Sequence, residues 1–140
     1  MDRECKKAQR LAEVWHRLLQ NPKNNICTEK LKAASILDVN ILRVINEGEK
    51  VIIRDIGNAL SVGPSTLSSA IKRLEKMGLI ERLLCENDLR SYSVKLTMEG
   101  KKELEHHAQK EIAVMQGLLG KLDSKEEQEQ LLCLLDKLLR

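Results

Sequence analysis

Apolar residues recur at helical spacing at both ends of this chain and switch to a two-residue alternation only in between. Ala8, Leu11, Ala12, Trp15, Leu18 and Leu19 fall on one face of a helix. That helix stops at Asn21-Pro22, because the residue before a proline is pushed out of the helical region. Residues 22–28 are polar and read as a loop, and shorter helical stretches follow at Leu31–Ala34 and Ile36–Asn46, the second ended by Glu47-Gly48. Ile53, Ile56 and Leu60 line one short helix, and Leu67, Ile71 and Leu74 line the next. Only Ser61-Val62-Gly63 separates them, which leaves room for a tight turn and nothing more. Leu79–Cys85 reads as a strand, residues 86–90 as a turn, and Ser91–Leu96 as a second strand. The alternation of that second strand puts Tyr92, Val94 and Leu96 inward and Ser91, Ser93 and Lys95 outward. Thr97 then caps a helix with apolar positions at Leu104, Ala108, Ile112, Met115, Leu119 and Leu122, the last five in a heptad-like seam. Asp123 with Glu126 forms a capping-box pattern for a final helix carrying Leu131, Leu132, Leu134, Leu135, Leu138 and Leu139.

These elements predict a mainly α fold with a small two-stranded β hairpin. Three segments are expected: an N-terminal helical part over residues 1–34, a central domain over 35–97, and C-terminal helices over 98–140. Six leucines in the last ten residues are hard to bury in so small a domain. The terminal helices are therefore expected to pair with a second copy of the chain, through Leu11, Leu119, Leu131, Leu134, Leu135 and Leu138.

Composition narrows the function. The 140 residues carry 24 Lys+Arg against 21 Asp+Glu, so no polybasic tail dominates. By segment, residues 1–49 hold 9 basic and 7 acidic side chains, 50–97 hold 8 and 5, and 98–140 hold 7 and 9, so the middle is the most basic. One Trp, one Tyr and no Phe leave an aliphatic core and no platform for stacking several bases or sugars. The charged start MDRECKKAQR lacks a signal-peptide pattern, and no stretch approaches the roughly 18–20 apolar residues of a membrane span. Cys5, Cys27, Cys85 and Cys133 form no CxxC pair, so free thiols in a reducing cytoplasm are expected. There is no Gly-rich phosphate loop, nucleophile elbow or paired-carboxylate motif, so neither an enzyme nor a bound cofactor is expected.

The string IRDIGNALSVGPSTLSSAIKRLEKM over residues 53–77 has the helix-turn-helix pattern. Gly57 is small where the helices approach, Val62 plugs the turn, Gly63 serves as N-cap and Pro64 takes the first helical position. Ser65, Thr66, Ser68, Ser69 and Lys72 lie off the Leu67/Ile71/Leu74 stripe, where they suit base edges and phosphates in a major groove. The hairpin directly after it reads as a wing, with Arg82 and Lys95 placed for backbone phosphates and Arg90 at the tip for a minor groove.

From the helix-turn-helix string through Leu74-Glu75-Lys76-Met77-Gly78-Leu79-Ile80 and Asp88-Leu89-Arg90 to Leu96-Thr97 and Gly100, the chain resembles the MarR family of winged helix-turn-helix transcription regulators. The resemblance covers residues 35–140 well and the first helix loosely. It implies a cytoplasmic homodimer that binds double-stranded DNA, with Asp88 bracing the wing arginine, and a repressor released by a small effector bound near Trp15 or by oxidation of Cys5. Two positions depart from the family pattern. Leu89 and Ser69 stand where members often carry arginine, so weaker phosphate or guanine contacts follow. The alternative from the same fold is a winged-helix module that binds protein; Ser, Thr and Lys on the second helix favour DNA.

Glu103, His107 and Glu111 share a helical spacing that could hold a metal. Adjacent His106 and His107 diverge by about 100°, however, and the expectation is a solvated face and no metal site.

Overall fold

The computed structural model describes residues 2–24, 28, 31, 34–85 and 88–140. Its helices are α1 (Arg3–Gln20), α2 (Ile36–Glu47), α3 (Ile53–Leu60), α4 (Pro64–Lys76), α5 (Met98–Leu119) and α6 (Lys125–Leu138), and its strands are β1 (Val51–Ile52), β2 (Ile80–Cys85) and β3 (Asp88–Leu96). The chain divides into two compact units, residues 27–109 and residues 1–26 with 110–140. No helix of the described residues is long and apolar enough to cross a membrane.

The 27–109 unit holds an aliphatic core in which Ile41, Leu42, Ile45, Ile56, Ile71, Leu74, Leu79 and Val94 are essentially inaccessible to solvent. Ser35 starts α2 with a reciprocal cap: its Oγ accepts from the Asp38 N–H at 3.2 Å, and Asp38 Oδ2 accepts from the Ser35 N–H at 3.0 Å. The predicted short helix at Leu31–Ala34 is not formed by its described ends. Leu31 sits in a turn and Ala34 in irregular backbone, while residues 32 and 33 lie outside the described ones.

The sheet is three-stranded and antiparallel, in the order β1-β3-β2: the expected two-stranded hairpin is β2–β3, and β1 adds a third strand at its edge. Two residues are too few to show alternation, and β1 passes directly into α3. Its presence makes β3 the central strand, and a second difference falls on that strand. Ser93 pairs with Ile52 on one side and Leu83 on the other and is buried rather than outward. Tyr92 lies beyond the reach of β1, paired only with Leu84, and is 40% exposed rather than inward. β3 also starts at Asp88, earlier than the expected Ser91, and residues 86 and 87 of the expected turn lie outside the described ones. Leu84 pairs with Tyr92 and Cys85 with Asp88, so Leu89, Arg90 and Ser91 fall in a bulge.

In the other unit, α1 and α6 bury none of their residues. Leu11, Trp15 and Leu19 on α1, and Leu134 and Leu138 on α6, remain largely exposed. The α6 cap falls one residue later than Asp123: Ser124 Oγ accepts from the Glu127 N–H at 3.2 Å, and Glu127 returns to the Asp123 N–H at 2.7 Å.

Candidate nucleic-acid interface

The site begins at the turn between α3 and α4. Ser61 ends α3 in the left-handed conformation, φ 53°, and the Val62 N–H closes back onto the Gly57 carbonyl at 3.0 Å. A β-carbon on Gly57 would lie 3.1 Å from Leu67 Cδ2 and 3.3 Å from the Val62 carbonyl oxygen, so glycine is what lets the helices approach. Gly63 then caps α4 with no side-chain hydrogen bond, and Pro64 follows as first residue. The first N–H groups of α4 are thus left without a side-chain acceptor, a setting that suits a phosphate oxygen.

α4 buries Leu67, Ala70, Ile71 and Leu74. Ser65, Thr66, Ser68, Ser69 and Lys72 are all exposed, on the face where the sequence puts them. Ser69 Oγ donates to the Ser65 carbonyl at 3.1 Å, which orients that hydroxyl along the helix. A groove of about 530 Å³ opens between α3, α4 and the wing, with Arg54, Asn58, Ser68, Arg82 and Tyr92 along it.

The wing cations are more constrained than their sequence positions suggest. Arg82 donates twice to Glu75 Oε1, at 3.1 and 2.6 Å, and its guanidinium lies 5.1 Å from the centre of the Tyr92 ring. Lys95 pairs with Glu81 directly across the ladder at 2.8 Å. Both are tied to carboxylates of this chain. Asp88 and Arg90 lie on β3 with their backbone in place, and their side chains are outside the described ones.

Two residues of the domain escaped sequence reasoning. Asp38, fully buried on α2, receives Arg73 of α4 side-on: Nε to Oδ2 at 2.9 Å and Nη2 to Oδ1 at 2.6 Å. Burial pushes the Asp38 carboxyl up, but the hydrogen bonds from Arg73 and Ser35 and the Arg73 charge outweigh it and hold it below its ordinary value. The same hydrogen bond and charge raise Arg73. The Ser35-x-x-Asp38 spacing was a visible signal for the cap, but nothing local marks Arg73 as its partner. Arg73→Met would strand a buried carboxylate and is expected to cost about 3 kcal/mol, read from urea unfolding. Because the folded-state value of Asp38 is depressed, its stabilisation is complete above the unfolded carboxylate value and is lost as pH falls through the folded one. Asp38→Asn is therefore expected to flatten the acid limb of the stability profile below about pH 4.

Glu103 and His107 are buried rather than on the expected solvated face, and Thr28 Oγ1 donates to Glu103 Oε2 at 2.8 Å. Among the described residues no group of three or more His, Cys, Asp or Glu could hold a metal. Cys5 is exposed on α1, where Trp15 is 56% exposed, and Cys133 is exposed on α6.

A short helix, a tight turn, a second helix with a polar outer face and a twisted hairpin define a winged helix-turn-helix domain. The sequence profile of the MarR family matches residues 35–92. The uncharacterized HTH-type transcriptional regulator YwhA of Bacillus subtilis (strain 168) is 30% identical over 98 residues, 70% of each chain. The HTH-type transcriptional regulator FarR of Neisseria gonorrhoeae is 36% identical over 74 residues, 51% of each, so the match spans about half the length of that relative. Among solved structures, a MepR variant of S. aureus bound to an oligodeoxyribonucleotide is similar with a TM-score of 0.65, 25% identity, and 95% of each chain covered. The chain belongs to the MarR family, and the relatives it matches are transcriptional regulators rather than enzymes.

Proposed function

We propose that this chain is a sequence-specific, double-stranded-DNA-binding regulator of transcription that acts as a homodimer. The observation that carries the reading is the α4 surface. Its buried stripe is wholly apolar, while Ser65, Thr66, Ser68, Ser69 and Lys72 stand exposed beside the wing. Such a helix presents donors and acceptors of the size that base edges accept. A structural relative bound to an oligodeoxyribonucleotide supports it. The apolar faces that α1 and α6 leave open support a second copy of the chain as the partner. Repression relieved by a small effector or by oxidation of Cys5 is the regulatory form we favour, with exposed Trp15 and Cys5 on α1 as the reporting groups.

Selection of bound sequences from random duplex DNA tests the core of this reading. The expected product is a two-fold-symmetric site with half-site centres about 10 bp apart or a multiple of it. Ser68→Ala is expected to relax preference at one base position by about 1 kcal/mol, the net worth of one hydrogen bond. Lys72→Ala should weaken all duplexes alike and reduce the salt slope by about 1 per half-site. A pool with no symmetric site would point to the protein-binding alternative. Release of a selected site by peroxide from the wild type but not from Cys5→Ser would support the oxidative switch, and release from both would remove Cys5 from it.

A further inference from the structure

We infer that Asp38 is a positioning residue for DNA recognition, its buried carboxylate fixing the rotation of the recognition helix α4 through Arg73. The inference rests on the DNA-binding reading above and adds to it the element that aims the reading face.

The geometry is a latch with one fixed end. The Asp38 carboxylate accepts from the Ser35 backbone N–H at 3.0 Å, while the Asp38 N–H is held by the Ser35 hydroxyl at 3.2 Å. That reciprocal cap anchors the carboxylate to the start of α2, whose Val39, Ile41, Leu42 and Ile45 are core residues. The other end is Arg73, gripped at both carboxylate oxygens. On α4, Ser65, Ser69 and Arg73 are spaced i, i+4, i+8 and form one row along the helix. The row therefore runs from the exposed start of the helix to the Asp38 anchor.

The apolar stripe of α4 does not supply this precision by itself. Hydrophobic burial is non-directional. A recognition constellation has to be held within about 10–20° of its productive angle. A planar, two-point ion pair is directional. The latch adds a directional constraint to the azimuth that the Leu67/Ala70/Ile71/Leu74 contacts set.

The Arg73 side chain is 43% exposed, so a direct phosphate contact is the competing role, and the two roles separate on Asp38→Asn. Full-length wild type, Asp38→Asn, Arg73→Lys and the double variant are each titrated against the selected symmetric duplex and a random duplex of equal length, at one salt concentration. Thermal melts establish that each is folded at the assay temperature; where Asp38→Asn does not fold, Ser35→Ala, which loosens the carboxylate's anchor at an exposed site and leaves Arg73 intact, is titrated in its place. A latch predicts that each single variant lowers the specific-to-random affinity ratio at least tenfold. Binding to random duplex should stay within twofold, and the double variant should be no worse than either single. Unchanged or tighter specific binding by folded Asp38→Asn overturns the latch in favour of a direct contact. A parallel fall on both duplexes overturns it in favour of a purely structural pair. A wild type without preference for any duplex overturns the DNA reading and the latch with it; a discriminating wild type with equally discriminating variants overturns the latch alone.

Discussion

Glutamate at both Leu134 and Leu138 is expected to leave folded chains that neither dimerise nor hold a two-half-site duplex. Leu134 is 59% and Leu138 75% exposed, and α6 buries no residue in its own chain. Neither side chain therefore contributes much to folding of a single copy. In a symmetric pair, both are covered twice. At about 1.5–3 kcal/mol for each fully exposed leucine that becomes buried, the exposed parts of these four supply roughly 4–8 kcal/mol of association free energy, which glutamates would lose and then oppose by charge repulsion. With about 1.4 kcal/mol per tenfold, a nanomolar dimer becomes a monomer at any workable concentration. DNA affinity falls with it, because one half-site no longer brings the second to its groove. Sedimentation velocity reads the mass, far-UV circular dichroism the retained helix, and a mobility shift the DNA. A variant that sediments as a dimer at micromolar concentration would place the seam elsewhere.

The second large effect is expected at Gly100. A β-carbon there would sit 1.9 Å from the Leu79 carbonyl oxygen and 2.9 Å from its carbon, so the first turn of α5 lies directly on the backbone before β2. The junction has no slack. The Thr97 hydroxyl donates to the Gly78 carbonyl at 2.6 Å and accepts from the Gly100 N–H at 3.0 Å, and the Thr97 N–H reaches the Leu79 carbonyl at 3.0 Å. Gly100→Ala would gain about 1 kcal/mol of helix propensity and lose about 3 kcal/mol or more to overpacking. Gly117→Ala, in the same helix with nothing within 4 Å, is the control and should gain the propensity alone. Urea midpoints that move the same way for both would show that the Leu79 contact yields cheaply.

The sequence carried the helices because their information is local. The α3–α4 stripe at Ile56, Leu67, Ile71 and Leu74, the Gly63-Pro64 start and the Thr97 cap can all be read from spacing and residue type, and all stand where expected. Apart from the Leu31–Ala34 turn and the α6 cap, what escaped was non-local. Val51 and Ile52 form a strand only because β3 is there to pair with, and Ser93 is buried on the strand that lies at the centre of the sheet. The exposed face of α4 followed from the same stripe, and so was legible. The pairing of Arg82 with Glu75 and of Arg73 with Asp38 was not, since partners 7 and 35 residues apart meet only in the fold. Reading lone cations as phosphate contacts overlooks this, and of the three expected contacts Lys72, Arg82 and Lys95, Lys72 is the one with no such tie to a described residue.

Ser61 has one more implication, for how the domain can change over generations. It is the only non-glycine described residue with positive φ, and it stands exposed at the corner of the two helices. A left-handed serine is held at a cost of about 1–2 kcal/mol that asparagine or glycine would largely relieve, without moving either helix or altering the reading face. The corner therefore keeps a margin of stability in reserve. A lineage that altered α4 to read a new sequence, and weakened the domain in doing so, could recover the loss with one substitution at this turn.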